Sequence, residues 1–369
     1  MRAWPVLAIT IIQSLLILAQ WFICRTWIIF WFPQTPASNF RLYTAVFLLT
    51  TSFVFSALLG FRYTNWLVAL LYKIAAAWLG FLNFFFLAAI LTRLIALSFR
   101  LAAIPVQRPL IAGSLFGLAI LTGIYGLINA QRIRIRHVPI HLENLPPSWR
   151  GRTAVLCSDL HLGNINALAF SRRIVRLSNS LQPDIVFIPG DFFDGVKTDS
   201  LRLTAPFREL TAPLGVYFAT GNHDEYGDLT HYLEALTHAG IRILNNEKVV
   251  VDGLAILGVT YHESTHILHM RATLERLNPN PAEPSILLNH VPNRLPIAEQ
   301  AGISLQLSGH THGGQCFPIT WITRRAFGKF TYGLQRYGSL QVYTSCGVGT
   351  WGPPMRVGTR PEIVQLQFQ

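Results

Sequence analysis

The first 150 residues contain almost no negative charge: a single acid, Glu143, stands against twelve lysines and arginines. They hold only two histidines, His137 and His141, both near the end of that stretch. Metal or acid–base chemistry that needs carboxylate and imidazole together is therefore confined to the residues that follow. Cysteines are also few. Cys24, Cys157, Cys316 and Cys346 include no closely spaced pair, which argues against both a disulfide framework and a zinc ribbon and leaves buried or free thiols. No internal repeat and no low-complexity tract occurs. The formal charge of +12 belongs to the first half, since residues 151–369 balance eighteen bases against seventeen acids. A basic chain can indicate nucleic acid, but here the bases sit between long apolar runs, so membrane topology accounts for them and no nucleic-acid partner is expected.

Polar faces are missing as well from four uncharged stretches, Ala3–Cys24, Leu42–Phe61, Ile74–Thr92 and Pro109–Gln131. Each is close to the ~20 residues that cross a hydrocarbon core as a helix. Trp27, Trp31, Tyr63, Trp66 and Tyr72 gather near their ends, as interfacial aromatics do, and Arg25 and Lys73 lie near enough to those ends to snorkel. Four spans put both flanks of the unit on one side. That side carries Arg2, Arg62, Arg132, Arg134 and Arg136, against Arg41, Arg100 and Arg108 on the other. Positive charge favours the inside, so the expected protein is integral to the bacterial inner membrane, with its carboxy-terminal domain in the cytoplasm.

The expected division is a transmembrane region over 1–131 and a second domain over 132–369. Arg132 to Leu142 alternates like a strand, and Leu145-Pro146-Pro147 breaks it. Beyond Arg152 the pattern is apolar strand, polar cluster, helix, repeated, which argues an α/β domain. Helices are expected near Ala167–Leu181, Asp199–Leu210, Asp228–Ala239, His266–Leu277 and Arg294–Ala301. Further strand-like runs at Ile241–Leu244, Lys248–Val251, Leu254–Val259, Leu340–Thr344 and Ile363–Phe368 are too many for one simple parallel sheet. Two sheets between two helical layers, a four-layer α/β/β/α sandwich, accommodate them.

Five of the apolar runs end in a cluster of chemically active side chains. Ala154–Leu156 leads to Asp159-Leu160-His161, Ile185–Ile188 to Gly190-Asp191, and Val216–Ala219 to Gly221-Asn222-His223-Asp224. Ile286–Leu288 leads to Asn289-His290, and Leu305–Leu307 to Gly309-His310-Thr311-His312. Strands delivering Asp, His and Asn to one sheet edge describe a metal site. Phosphate esters resist attack because ester and hydroxide are both anionic. Two divalent cations roughly 3.5–4 Å apart generate hydroxide near neutral pH and neutralise the phosphoryl oxygens. Asp191 suits the bridging position, since a carboxylate has two oxygens. Asp159 and His161 alternate by two, which on a regular strand puts them on one face; His310 and His312 share that spacing. Asn222 donates a neutral oxygen. Short motifs of this kind arise singly by chance, and an Asn-His-Asp turn is often only a helix cap; their order, each after a strand, supplies the structural context that counts.

That order resembles the calcineurin-like metallophosphoesterase superfamily from about Arg132 to the end. The longer stretches Ser158-Asp159-Leu160-His161-Leu162-Gly163, Leu307-Ser308-Gly309-His310-Thr311-His312-Gly313-Gly314-Gln315 and Arg360-Pro361-Glu362-Ile363 look like its membrane-associated bacterial branch. This branch is similar to UDP-2,3-diacylglucosamine hydrolases of the lipid A pathway and to animal transmembrane proteins with a metallophosphoesterase domain. The resemblance implies a first metal on Asp159, His161, Asp191 and His312, and a second on Asp191, Asn222, His290 and His310. It also implies that His223, oriented by Asp224, contacts the phosphate or protonates the leaving oxygen. The implied cofactors are two divalent ions, and mixed His, carboxylate and amide donors fit Mn, Fe or Zn.

Two further clusters stand outside this pattern. Phe317 to Tyr337 interleaves aromatic and basic residues without an acid, which suits an anionic amphiphile and offers Arg324 and Arg325 to a lipid-linked substrate; the alternative is a lid or surface loop with ordinary solvating charges. His262, His266 and His269 have helix-face spacing that could suit a metal, but no position there matches the family's ligands, and the leading reading is a solvated or substrate-facing helix end. The leading expectation is a membrane-anchored hydrolase of a phosphoester or pyrophosphate bond acting through a metal-activated hydroxide. The alternatives are a tethered phosphodiesterase for soluble substrates and a non-catalytic membrane protein with a metal-binding domain.

Overall fold

A computed structural model describes residues 3–31 and 36–369; Arg2, counted above among the inside-facing bases, lies outside them. The chain divides into two compact units, one of residues 1–128 with 352–355, the other of residues 129–351 with 356–369.

Among the described residues the first unit contains four helices, α1 (Ala3–Trp31), α2 (Pro36–Gly60), α3 (Trp66–Leu101) and α4 (Arg108–Ala130), the last two residues of α4 being counted in the second unit. All four are long and apolar enough to cross a membrane. Their large side chains point outward as well as inward: Leu15, Leu18, Phe55 and Leu121 are each at least 60% exposed, an arrangement that water would penalise and lipid does not. The third helix is longer than the apolar run suggested. Its 36 residues extend about 54 Å at 1.5 Å per residue, so Arg93 lies within the helix rather than at its end. There Arg93 Nε donates to Thr26 Oγ1 at 2.7 Å and the guanidinium lies over the Phe22 ring.

The second unit holds twelve strands in two six-stranded sheets. In chain order they are β1 (Arg134–Ile140), β2 (Thr153–Leu156), β3 (Ile185–Pro189), β4 (Val216–Ala219), β5 (Arg242–Ile243), β6 (Glu247–Val251), β7 (Leu254–Val259), β8 (Ser285–Asn289), β9 (Leu305–Ser308), β10 (Gly333–Tyr337), β11 (Leu340–Thr344) and β12 (Glu362–Phe368). One sheet runs β1-β12-β2-β3-β4-β5, the other β10-β11-β9-β8-β7-β6. β2 to β5 are mutually parallel, as are β7, β8, β9 and β11. The helices are α5 (Leu168–Asn179), α6 (Ser200–Thr204), α7 (Asn222–Tyr226), α8 (Leu229–His238), α9 (Tyr261–Thr265), α10 (Ile267–Leu277), α11 (Leu295–Gln300) and α12 (Ile319–Phe327).

Successive strand side chains face opposite ways, and here both faces are covered. Ile185 and Phe187 of β3 join Ile256, Ile286, Leu288, Leu307 and Leu366 in a core between the sheets. Val186 and Ile188 face the other way, onto Ile174 and Val175 of α5 and Leu236 of α8. Leu287 of β8 meets Met270 and Leu274 of α10 and Ile297 of α11. Burial on both faces is why these strands read as unbroken apolar runs rather than alternating ones. The result is the expected α/β/β/α sandwich. All four cysteines are free and buried.

Two local expectations are corrected. The helix expected over Asp199–Leu210 stops at Thr204 and continues as a 3-10 turn from Ala205 to Glu209, because Pro206 cannot donate the next helical hydrogen bond. The stretch from Phe317 to Tyr337 is not a loop: it forms α12 and then β10, paired antiparallel with β11.

Candidate metal centre

The polar clusters converge where the two sheets face each other, not along a single edge as the sequence suggested. β2, β3 and β4 of one sheet and β8 and β9 of the other all end there. Ligand sites at the carboxyl ends of parallel strands are the rule in α/β folds.

The Asp159 and His161 side chains do not alternate along a regular strand. β2 ends at Leu156, and both residues adopt left-handed backbone, with φ of 55° and 47°. Asp191 (53°), His310 (68°) and His312 (48°) do the same. Such conformations cost on the order of 1 kcal/mol each for residues with a Cβ and cluster at functional sites. Cross-ties between clusters hold them. The Asp159 amide donates to Gly190 O and the His161 amide to Asp191 O, each at 3.1 Å. The Gly309 amide donates to His290 O at 2.9 Å and the His310 amide to Asp159 Oδ1 at 2.9 Å. Two glycines make room. A Cβ on Gly221 would run into Asp191 Oδ1, and one on Gly347, whose φ is +75°, would come within 2.6 Å of the Asp159 Cβ.

The donor atoms fall into two groups. In the first, Asp159, His161 and His312 place their ligand atoms within 4.8 Å of one another; His161 Nε2 lies 3.0 Å from His312 Nε2, and His312 Nε2 3.4 Å from Asp159 Oδ1. In the second, Asp191, His290 and His310 meet the same limit, and Asn222 Oδ1 is 3.0 Å from His310 Nδ1. Asp191 reaches both groups, with Oδ2 3.2 Å from His290 Nε2 and 3.6 Å from His161 Nε2. All seven residues named from the sequence thus come together.

This donor set fits divalent cations. His290 Nδ1 donates to Pro189 O at 2.8 Å, which turns the Nε2 of a neutral ring toward Asp191. That Nε2 is buried and makes no well-formed hydrogen bond, nor does Asp159 Oδ2. Burial alone would lower the His290 pKa, but the Asp191 carboxylate carries it up to about 9, and His290 in turn holds Asp191 well below the usual carboxylate range against its own burial. Burial and the neighbouring His290 push His310 down to about 3, leaving its ring neutral and able to ligate. A cation held by the second group would take the place of the proton on His290, the ordinary coupling of metal binding to proton release.

Three residues behind the donors carry roles that the motifs did not show. His161 Nδ1 lies 3.2 Å from Asp194 Oδ1, a carboxylate–imidazole pairing that orients a metal ligand. The only signal for it was a further acid three residues after Asp191. The expected pairing of His223 with Asp224 is corrected: His223 Nδ1 donates to the Asp194 carbonyl at 3.1 Å, because the Asp224 carboxylate is turned away. It accepts the amides of Asp191 (2.8 Å), Gly221 (2.9 Å) and Phe193 (3.0 Å), and burial with the nearby Asp191 raises its pKa to about 7. Asp224 is a fastener of the two loops. Arg356, wholly buried, donates to the carbonyls of His312 (3.0 Å), Gly347 (3.2 Å) and Gly349 (2.5 Å). Arg324 and Arg325 are not among the donors. They lie exposed in the last turn of α12, whose next residue but one, Phe327, stacks edge-on 6.1 Å from the His310 ring.

Replacing Asp194 by Asn is expected to weaken metal retention about 10–100-fold, the range for lost outer partners of a metal-bound imidazole. Metal content after dialysis against graded chelator measures this; unchanged retention would remove Asp194 from the centre.

Imidazoles, carboxylates and an amide gathered on two facing sheet edges define a class of site, one suited to divalent metal ions. Residues 153–314 match the family described as calcineurin-like phosphoesterase. The chain is 32% identical over 252 residues to a metallophosphoesterase of Aquifex aeolicus, covering 67% of this chain and 96% of that one. A transmembrane protein with metallophosphoesterase domain from Danio rerio is 37% identical over 259 residues, 66% of this chain and 59% of that protein; its bovine counterpart is 35% identical over 269 residues, 67% of this chain and 60% of that one. The chain therefore spans about 60% of the length of those two animal relatives. It belongs to the calcineurin-like metallophosphoesterase family, and it is a membrane protein.

Proposed function

We propose that the protein is a dinuclear hydrolase of phosphoester or pyrophosphate bonds acting on a lipid-linked phosphate at the membrane, with UDP-2,3-diacylglucosamine as the first compound to test. The observation that carries the reaction class is the reach of Asp191 into both donor groups. Asp159, His161, Asp191 and His312 would hold one ion, and Asp191, Asn222, His290 and His310 the other, with Mn, Fe or Zn suited to the donors. When bound, the ions supply Lewis acidity for a water nucleophile and for the phosphoryl oxygens. His223 does the remaining proton work. Its Nδ1–H is committed to the Asp194 carbonyl, so Nε2 is the atom free to meet a phosphate oxygen or, when protonated, to deliver its proton to the leaving oxygen. Asp224 keeps the His223 loop in register with the Asp191 loop through its three accepted amides.

The lipid-linked substrate is supported by α12. Ile319, Trp321 and Ile322 are 47%, 68% and 66% exposed, on the same short helix that carries Arg324 and Arg325 in its last turn. Guanidinium groups suit phosphate, and exposed aromatic and aliphatic side chains suit acyl chains or a headgroup region. Replacing both arginines by Ala is expected to raise KM for UDP-2,3-diacylglucosamine about tenfold in assays with added Mn, while hydrolysis of a small aryl phosphodiester stays unchanged. Equal losses on both substrates would make α12 structural and favour a tethered enzyme for soluble diesters.

We propose that the catalytic unit lies on the cytoplasmic face of a bacterial inner membrane, on the strength of Arg132, Arg134 and Arg136 after the last span. Protease added outside intact spheroplasts is expected to leave residues 151–369 uncut; external cleavage would reverse the orientation.

A further inference from the structure

Three histidines outside the centre draw together in the fold. His262 and Glu263 lie on α9, His266 at the junction of α9 with α10, and His269 on the first turn of α10. Their ring centroids are 5.3 Å (His262 to His266), 5.1 Å (His266 to His269) and 5.8 Å (His262 to His269) apart. An ion bound at the ~2.0–2.1 Å typical of zinc–imidazole bonds lies about 3.2 Å from each ring centre, and tetrahedral angles then separate the centres by about 5.2 Å. The three observed spacings bracket that figure closely. The ligand atoms of His262, Glu263 and His269 all lie within 4.8 Å of one another, with Glu263 Oε2 3.7 Å from His269 Nδ1; His266 joins this group through its ring spacings to His262 and His269.

The backbone beneath the cluster is fixed. The His262 amide donates to Glu225 Oε2 at 3.0 Å, and the Glu263 amide donates to the Thr260 hydroxyl at 3.4 Å. The Thr265 carbonyl accepts from Arg294, and Met270, one residue past His269, is buried in the core. The side chains themselves remain accessible, with His269 50% and Glu263 28% exposed.

We infer that His262, His266 and His269, with Glu263, form a separate site for one zinc-type divalent cation that clips α9 to α10. The site has a route to the centre without belonging to it. Tyr261 precedes His262, its ring stands 6.4 Å from the His310 ring, and its hydroxyl accepts from that of Tyr226 at 3.4 Å. A cation holding α9 against α10 therefore fixes one wall beside His310. Borderline cations with a preference for imidazole, zinc first, are the ligands this donor set selects.

The test is metal stoichiometry of the full-length protein, purified in detergent, stripped, reloaded with Zn²⁺ and passed through gel filtration in metal-free buffer. The double variant His266→Ala, His269→Ala is expected to retain one equivalent of zinc fewer than the parent. Both positions are at the surface, where substitutions seldom disturb folding. Reloading with Co²⁺ is expected to show a tetrahedral visible absorption component in the parent that the double variant loses. The single variant Glu263→Gln, which leaves all three imidazoles in place, gives a second reading, with an altered cobalt spectrum expected. Equal zinc content and identical cobalt spectra in parent and double variant would overturn the site.

Discussion

Asp191→Asn is expected to lower kcat by at least about 10³-fold, some 4 kcal/mol of transition-state stabilisation, in protein that still folds and inserts. Among the described residues Asp191 is the one donor whose side chain contacts both groups, at 3.2 Å to His290 and 3.6 Å to His161. Its other oxygen accepts the His223 amide at 2.9 Å. An asparagine of the same shape can keep that last bond through its carbonyl oxygen, so the loop carrying His223 should survive. It cannot keep the rest, because an NH₂ group turned toward His161 and His290 has no lone pair for a cation. Metal content should fall together with kcat, whereas thermal unfolding of the stripped protein should change little. His223→Ala serves as the contrast: its proposed work is on the phosphate, so turnover should drop with metal content intact. Parent-like turnover in Asp191→Asn at matched expression would remove the two-metal proposal, and loss of metal in His223→Ala would move that residue among the ligands.

The donors were legible because their chemistry is unusual in sequence: acids, histidines and an amide directly after runs buried on both faces. Which sheet each run joins was not legible, since a parallel strand such as β3 or β8 records only that both its faces are covered. The expectation of one sheet edge failed for that reason. The regular alternation expected at Asp159 and His161 failed because left-handed backbone in residues other than glycine leaves little mark on composition; the cross-ties that impose it come from residues 30 to 190 positions away. The role of Asp224 was misjudged from proximity. A carboxylate next to His223 looks like its partner, yet three amides from two loops outbid the imidazole for it. β10 escaped notice because Gly333-Leu334-Gln335-Arg336-Tyr337 has little apolar pattern of its own and is held as an edge strand by β11.

Arg356 was the residue hardest to foresee, and it carries the second large prediction. It is a wholly buried guanidinium with no carboxylate within salt-bridge distance among the described residues. Burial accordingly lowers its pKa. Carbonyls compensate in place of a carboxylate: those of His312, Gly347 and Gly349 all accept from it, and Nη2 lies 3.1 Å from His312 Nδ1. The bonds join the loop bearing His312 to the turn at Gly347, whose backbone packs on Asp159. That turn is also tied to the Asp159 loop by the Val348 amide on Ser158 O and the Gly349 amide on Asp159 O, both at 2.9 Å. Arg356→Met fills much of the same volume but leaves three buried acceptors without these donors, at roughly 1–3 kcal/mol for each that finds no substitute. With partial relaxation the expected loss is about 3–5 kcal/mol. For a unit of this size each kcal/mol lowers Tm by roughly 2–4 °C, so a fall of about 10 °C is expected in calorimetry of the stripped protein. Turnover should fall with it after metal is restored, because His312 and Asp159 lose their common support. Arg360→Ala, at an exposed position four residues along, controls for loss of charge and should leave Tm within about 1 °C, as surface changes usually do. If Arg356→Met melted with the parent, the three carbonyls would have found other donors and the guanidinium could not be what holds the Asp159 and His312 loops together.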